Sequence, residues 1–185
     1  MKCYVFPIKE GEVYLGVKSL INPYSSRKPM WAAGFPMAFG GNDDDDNTLV
    51  TCARETHEES HWKLDLESAA FTHLVNLENA GTPYFFYYAT GFTYDPTAVL
   101  PPTLARAKRY RETTGKILRI NLNERPVLFL TRSVAAAWIL QKLREQHPDI
   151  SIDSSAEGYS DFLSSETLRA FILLVRYHMK QPIDG

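Results

Sequence analysis

The chain is poor in the features that staple a protein, anchor it in a membrane or give it a one-signed charge. Two cysteines, Cys3 and Cys52, are too few among 185 residues for a disulfide framework. No apolar run approaches the roughly 20 residues that a membrane-spanning helix needs. The opening MKCYVFPIKEGE turns polar before it could serve as the apolar segment of a secretory signal. Neither sign of charge prevails: 20 Lys and Arg against 22 Asp and Glu leave a formal net charge of -2, which argues against a broadly basic nucleic-acid binder. An anionic substrate must therefore meet local positive charge or a metal. What the chain does have is 44% hydrophobic and 12% aromatic residues, enough for one sizeable core and too many for a disordered chain. One domain over residues 1–185 is expected, in a soluble protein of the cytoplasm with no membrane partner; export by a dedicated secretion machine would leave the same composition.

The apolar pattern predicts strands first. KCYVFPI and EVYLGVKS flank the turn-like KEGE, as a hairpin would. The loop LINPYSSRKPMW carries Arg27 and Lys28, cations that are solvated in most loops and are candidates here for substrate phosphate. MWAAGFPMAFGG reads as an extended segment entering a tight turn at Gly40 and Gly41. The aspartate run NDDDDN reads as a solvated loop and lacks the alternating ligands, glycine and closing glutamate of an EF-hand. Asp46 or Asn47 is placed to cap a helix from Thr48 to Ser60. WKLDL, AAFTHLVNLE and the aromatic TPYFFYYATGF follow as strands, then TLARAKRYRETTG as a short basic helix with a glycine stop, then KILRINL as a strand. Helical periodicity returns at Val134 to Gln146 and Glu166 to Met179, with HPDISIDSSAEGYS as a polar connector.

The segment TCARETHEESHW, Thr51 to Trp62, admits two metal sites. Read from His57, HEESH is the H-E-x-x-H pattern of a zinc hydrolase, with His57, Glu58 and His61 at the metal. Read from Arg54, RETHEES places Glu55, Glu58 and Glu59 within an arc of about 100° on one helix side, with His57 and His61 roughly opposite. Hard carboxylate oxygens suit Mg²⁺ or Mn²⁺, whereas the imidazole pair suits zinc. A catalytic zinc also needs a third ligand, and HWKLDLES supplies none at the usual spacing.

The second parse extends further. Gly40, Arg54, Glu55, Glu58, Glu59 and Trp62 stand at the spacing of the Nudix hydrolase signature, so the chain resembles that family over Gly40 to Trp62. The departures are Asp46 for a glutamate, Thr56 for a bulky apolar residue and His61 for the glycine that ends the helix. The resemblance implies an α/β (α+β) class fold, an α/β/α sandwich around a mixed β-sheet, with residues 148–185 as an additional C-terminal helical extension. It implies Mg²⁺- or Mn²⁺-dependent hydrolysis of a diphosphate linkage in a nucleoside diphosphate joined to another group. Glu55, Glu58 and Glu59 would be the metal ligands, Arg54 would orient them, and Glu55, Glu78 or Glu112 would be the general base. Loss of catalysis through the departures would leave a nucleotide-binding module instead. Substrate contacts are expected from Arg27, Lys28, Gly40, Gly41 and Tyr84, the last from an aromatic strand whose other role is core packing. Arg106, Lys108, Arg109 and Arg111 form a basic helix face, ordinarily solvated, that would also suit phosphate or RNA; capped RNA stays open as a substrate, as does a homodimer.

Overall fold

The computed structural model describes residues 1–43, 47–124, 130–152 and 155–183; Asp46 lies outside them. The expected hairpin is present as β1 (Lys2–Lys9) and β2 (Glu12–Lys18). Glu10 and Gly11, with φ of 53° and 75°, make the primed turn that follows the strands' own twist. β1 and β2 are paired only next to that turn, at Ile8↔Val13 and Lys9↔Glu12. Beyond it the two strands part and recruit different partners.

β1 runs antiparallel to β4 (Phe39–Asn42) on one side and parallel to β7 (Thr82–Thr90) on the other, and β7 pairs with β6 (Ala70–Asn79). β2 pairs with β3 (Pro36–Met37) and with β9 (Thr113–Asn121). The result is the expected mixed sheet; β5 (Leu64–Asp65) and β8 (Thr93–Tyr94) form a small separate ribbon.

Strand alternation divides the apolar residues between two layers. Cys3 and Val5 of β1 join Tyr14, Phe39, Cys52 and Leu64 on the face covered by α1 (Thr48–Glu59). Phe6 and Ile8 turn the other way, toward α4 (Arg132–Gln146), α5 (Ala156–Leu163) and α6 (Glu166–Lys180). That second core holds Trp138, Phe162, Phe171, Leu174 and Val175, all at most 1% exposed. With helices on both faces, the molecule is an α/β/α sandwich. Among the described residues no helix is long and apolar enough to cross a membrane.

Three expectations change. The polar connector ends in the first turns of α5, which continues to Leu163: Ser155 caps it by accepting from Gly158 N–H, and Phe162 anchors it by stacking on Phe35 at 4.8 Å. The basic segment after residue 101 is two single turns, α2 (Pro102–Ala105) and α3 (Lys108–Arg111), rather than one helix. Its glycine stop, Gly115, lies inside β9, for a reason that emerges at the end of α1.

Candidate active site

α1 starts where Asn47 Oδ1 accepts from the amides of Leu49 and Val50, and Asp43 accepts from the hydroxyls of Thr48 and Thr51. Its fully buried residues are small: Thr51, Cys52 and Thr56. Thr56, at a position where the family signature is apolar, donates its hydroxyl to the Cys52 carbonyl at 2.6 Å. The polar atom is thus satisfied inside the helix, and the side chain remains buried.

At the other end His61 N–H donates to the Glu58 carbonyl and Trp62 N–H to the His57 carbonyl, the paired bonds of a Schellman stop. This stop needs a left-handed residue after the cap. His61 supplies it at φ 49°, without the glycine that tolerates that region best. The His61 ring finds room because residue 115 is glycine; a β-carbon there would overlap the imidazole. His61 Nε2 donates to the Tyr110 carbonyl at 2.7 Å, and burial lowers the ring's pKa. His57 stacks on Trp62 at 5.7 Å, and its Nδ1 donates to the Leu64 carbonyl at 3.1 Å. Each histidine therefore serves the helix stop and its surroundings, and the helix ends before the second one, so the i, i+4 face that zinc would need is not formed.

The glycine turn meets the carboxylates directly. Gly40, at φ 150°, lies so close to β1 that a β-carbon would overlap the Cys3 carbonyl oxygen. Its N–H donates to Glu59 Oε1 at 2.7 Å. A β-carbon on Gly41 would sit 3.5 Å from the Glu55 carboxyl group. Arg54 spans two carboxylates, with Nη1 at 3.3 Å from Glu55 Oε1 and 3.6 Å from Glu58 Oε1. The guanidinium holds both side chains along the helix surface.

Two cavities open beside this end of α1. A polar depression of about 410 Å³ is walled by Glu55, Glu58, Arg54, Glu112, Arg109 and Gly41, with Lys2 and Gly40 on its border. A second cavity of about 400 Å³ shares Lys2 and Gly40 and continues past Glu59 to an aromatic wall. That wall contains Tyr4, Tyr84, Phe86 and Trp31; Tyr4 stacks on Tyr84 at 6.1 Å and on Phe86 at 5.3 Å. Lys2 Nζ lies 5.6 Å from the Tyr84 ring centre, and Lys18 Nζ 5.5 Å from that of Trp31.

The electrostatics point to crowded negative charge. Burial first, then Glu55 and Glu112, push the Glu59 carboxyl well above the usual carboxylate range, although the Gly40 amide and Lys18 oppose them. Lys18 is lowered by burial, with Glu59 and Glu112 acting in the other direction. A hard divalent cation fits this donor set, because carboxylate oxygens are its preferred ligands and its charge would offset their repulsion. Among the described residues, however, no three His, Cys, Asp or Glu side chains already converge as a metal cage. Ligation would require the carboxylates to draw together.

Of the residues singled out from the sequence, Gly40, Gly41, Arg54, Glu55, Glu58, Glu59 and Tyr84 all border these two cavities. Arg27 and Lys28 are exposed and border neither; Lys28 lines a separate depression with Glu157 and Asp161. Glu78 is exposed on β6 and also borders neither, whereas Glu112 does. Lys2, Lys18, Trp31, Tyr4, Glu166 and Thr167 were not legible as site residues. Lys2 and Tyr84 become neighbours only through the parallel β1–β7 register, and Glu166 reads locally as an ordinary acidic first turn after the Ser165 cap.

No family model matches the chain, and no curated protein sequence matches it. Among solved structures, one described as an ADP compounds hydrolase aligns over 98% of this chain and 75% of its own, with a TM-score of 0.52 and 12% identity. A MutT NUDIX hydrolase from Burkholderia pseudomallei aligns over 77% of this chain and 95% of its own, at TM-score 0.43 and 19% identity. A NUDIX hydrolase from Nitrosomonas europaea aligns over 82% and 90%, at 0.42 and 12%. At such identities the likeness is one of fold, and the first of the three carries it.

Proposed function

Starting from a Nudix-type α/β/α fold, we propose that this chain is a divergent Nudix hydrolase that cleaves the diphosphate linkage of a nucleoside diphosphate joined to another group, with Mg²⁺ or Mn²⁺. The observation that carries the reading is the junction at Gly40 and Lys2, where an acidic depression meets an aromatic cavity. A diphosphate at that junction would have carboxylates and cations on one side and room for a planar base on the other.

In this reading Glu55, Glu58 and Glu59 would hold the cation, which would supply charge neutralisation at the phosphate oxygens and lower the pKa of water when bound. Arg54 keeps Glu55 and Glu58 in place through its two ion pairs and is a positioning residue. Gly40 fixes Glu59 by its amide bond. Lys2 and Lys18 face the diphosphate, and Lys18, lowered by burial, is a weakly hydrated partner for it. Water attacks one phosphorus, the bridging P–O bond breaks, and the water proton passes to Glu55 or Glu112, which both border the depression. The products are a nucleoside monophosphate and the phosphorylated second group.

The test is a product screen over nucleotide sugars, dinucleoside polyphosphates, dinucleotide cofactors and capped RNA with each metal, repeated with Glu58→Gln. Monophosphate release by the wild type and its loss in a folded variant are expected; unchanged turnover in the variant would sink the assignment. The binding-module reading draws on one observation, the Arg54 guanidinium already occupying Glu55 and Glu58. It predicts tight nucleotide binding without turnover over the same panel.

A further inference from the structure

We propose that Glu166 selects the base: its carboxylate accepts two adjacent N–H donors from a guanine-type ring held in the aromatic cavity. The proposal rests on the nucleotide reading above for its phosphate end and on separate observations for its base end.

Glu166 opens α6 and is 8% exposed, yet it lines the cavity together with Tyr4, Tyr84 and Thr167. Among the described residues it has no side-chain hydrogen bond and no ion pair, although Lys2 and Lys18 border the same cavity. The Tyr84 hydroxyl pKa is raised by burial first and then by the Glu166 charge; for Tyr4 burial and Glu59 dominate and Glu166 adds a smaller push in the same direction. An acidic side chain in the first turn of a helix is favoured by the free amides there. That accounts for an acid at this position but not for one turned into a cavity without a partner. Among the described residues no fully buried side-chain oxygen lacks a partner, so the Glu166 carboxylate opens to the cavity space, where a ligand with matching donors can meet it.

The neighbouring helix cap is, by contrast, fully used: Ser165 accepts from Leu168 N–H and Thr167 accepts from Ala38 N–H. This second bond ties α6 to the segment between β3 and β4, beside the glycine turn. The C-terminal helix thus forms a wall of the cavity, and Glu166 is its uncommitted group.

The chemistry of the bases then discriminates. Guanine places its ring N–H and its exocyclic amine side by side, matching two carboxylate oxygens. Adenine and cytosine place a ring acceptor beside the amine, and uracil flanks its single N–H with carbonyls; a carboxylate repels each of those acceptors. The cavity, about 400 Å³, is in the size range of small-molecule sites. Its stacked Tyr4, Tyr84 and Phe86 suit a planar ring. A ribose cis-diol offers the same pair of donors, so base and sugar must be varied separately.

Calorimetric titration with GMP, IMP, AMP and 2′-deoxy-GMP tests this without requiring turnover. GMP should bind at least about 10-fold tighter than AMP, with IMP between them and 2′-deoxy-GMP equal to GMP, as expected where a polar site is left unmatched by the wrong partner. Glu166→Gln should bring GMP to within about 3-fold of AMP, because the amide loses one acceptor for guanine and no longer repels the adenine ring nitrogen, and its thermal transition reports whether it folds. Equal binding of GMP and AMP overturns the proposal, as does an unchanged ratio in Glu166→Gln or a fall of 2′-deoxy-GMP to the AMP level. If the variant does not fold, the wild-type series decides. Guanine-selective binding with no turnover of any substrate would leave this inference standing and remove the hydrolase reading; turnover without base preference would do the reverse.

Discussion

The two helical layers that flank the sheet are built for different tasks. α6 buries Leu168, Phe171, Leu174 and Val175 against a core that also takes Trp138 and Phe162. α1 fully buries only Thr51, Cys52 and Thr56, and keeps its three glutamates at the rims of two adjoining cavities, Glu55 and Glu58 on one and Glu59 on the other. Apolar area stabilises the first layer at about 25 cal/mol per Å². The second layer is held by local bonds: the Asn47 cap, the Thr56 hydroxyl and the His61 stop. A helix anchored by its ends and a few small residues can carry clustered charge on its remaining face, because the stability of the fold is supplied elsewhere.

Substitutions in each layer test the difference. Phe171→Ala should cost about 3–5 kcal/mol, the usual loss for a large buried aromatic, read as a fall in the unfolding midpoint. A loss below about 1 kcal/mol would mean that the α6 layer is not the principal source of stability. Glu58→Gln should do the opposite, lowering hydrolysis at least about 100-fold while leaving the melting temperature near wild type. A large drop in melting temperature there would show that the glutamate face of α1 contributes to stability as well.

The pH dependence is a finer probe. The folded-state pKa of Glu59 is raised above its unfolded value, chiefly by burial. The folded protein therefore holds the proton more tightly, and the stability so gained is fully present below the unfolded pKa of about 4.3 and lost as pH rises through the folded value. Glu59→Gln abolishes that titration. Its melting temperature in metal-free buffer should therefore gain on wild type as pH rises above that lower limit, and added Mg²⁺ should narrow the difference by stabilising only wild type. A difference independent of pH would show that Glu59 is not the strained group. The smallest effect concerns the stop: Gly115→Ala should be destabilising, and less so in a His61→Gly background, with a coupling of about 1 kcal/mol in a double-mutant cycle. Strict additivity would mean that the two positions do not share the space.

Much of this organisation could be read along the chain. The alternation of KCYVFPI and EVYLGVKS and the turn between them define the hairpin, and Asn47 and the run from Thr48 define α1, because these signals lie within a few residues of one another. The spacing of Arg54, Glu55, Glu58 and Glu59 also determines, through helical geometry, that the carboxylates share a side. Tertiary structure decided the rest. Whether a histidine could end α1 depended on Gly115, which lies far along the chain from His61. Which cations meet the glutamates depended on strand register, which brings Lys2 beside Tyr84 and leaves Arg27 and Lys28 outside. Helix α5 was hidden because its main anchor, Phe162, packs on a distant Phe35. Glu166 shows the same limit: next to Ser165 it is an ordinary helix start, and only the folding of α6 against the sheet places it in a cavity beside Tyr4 and Tyr84. Local signals determine elements, but a site is made of contacts between residues far apart in the chain, and their proximity is set by packing rather than by any short stretch of sequence.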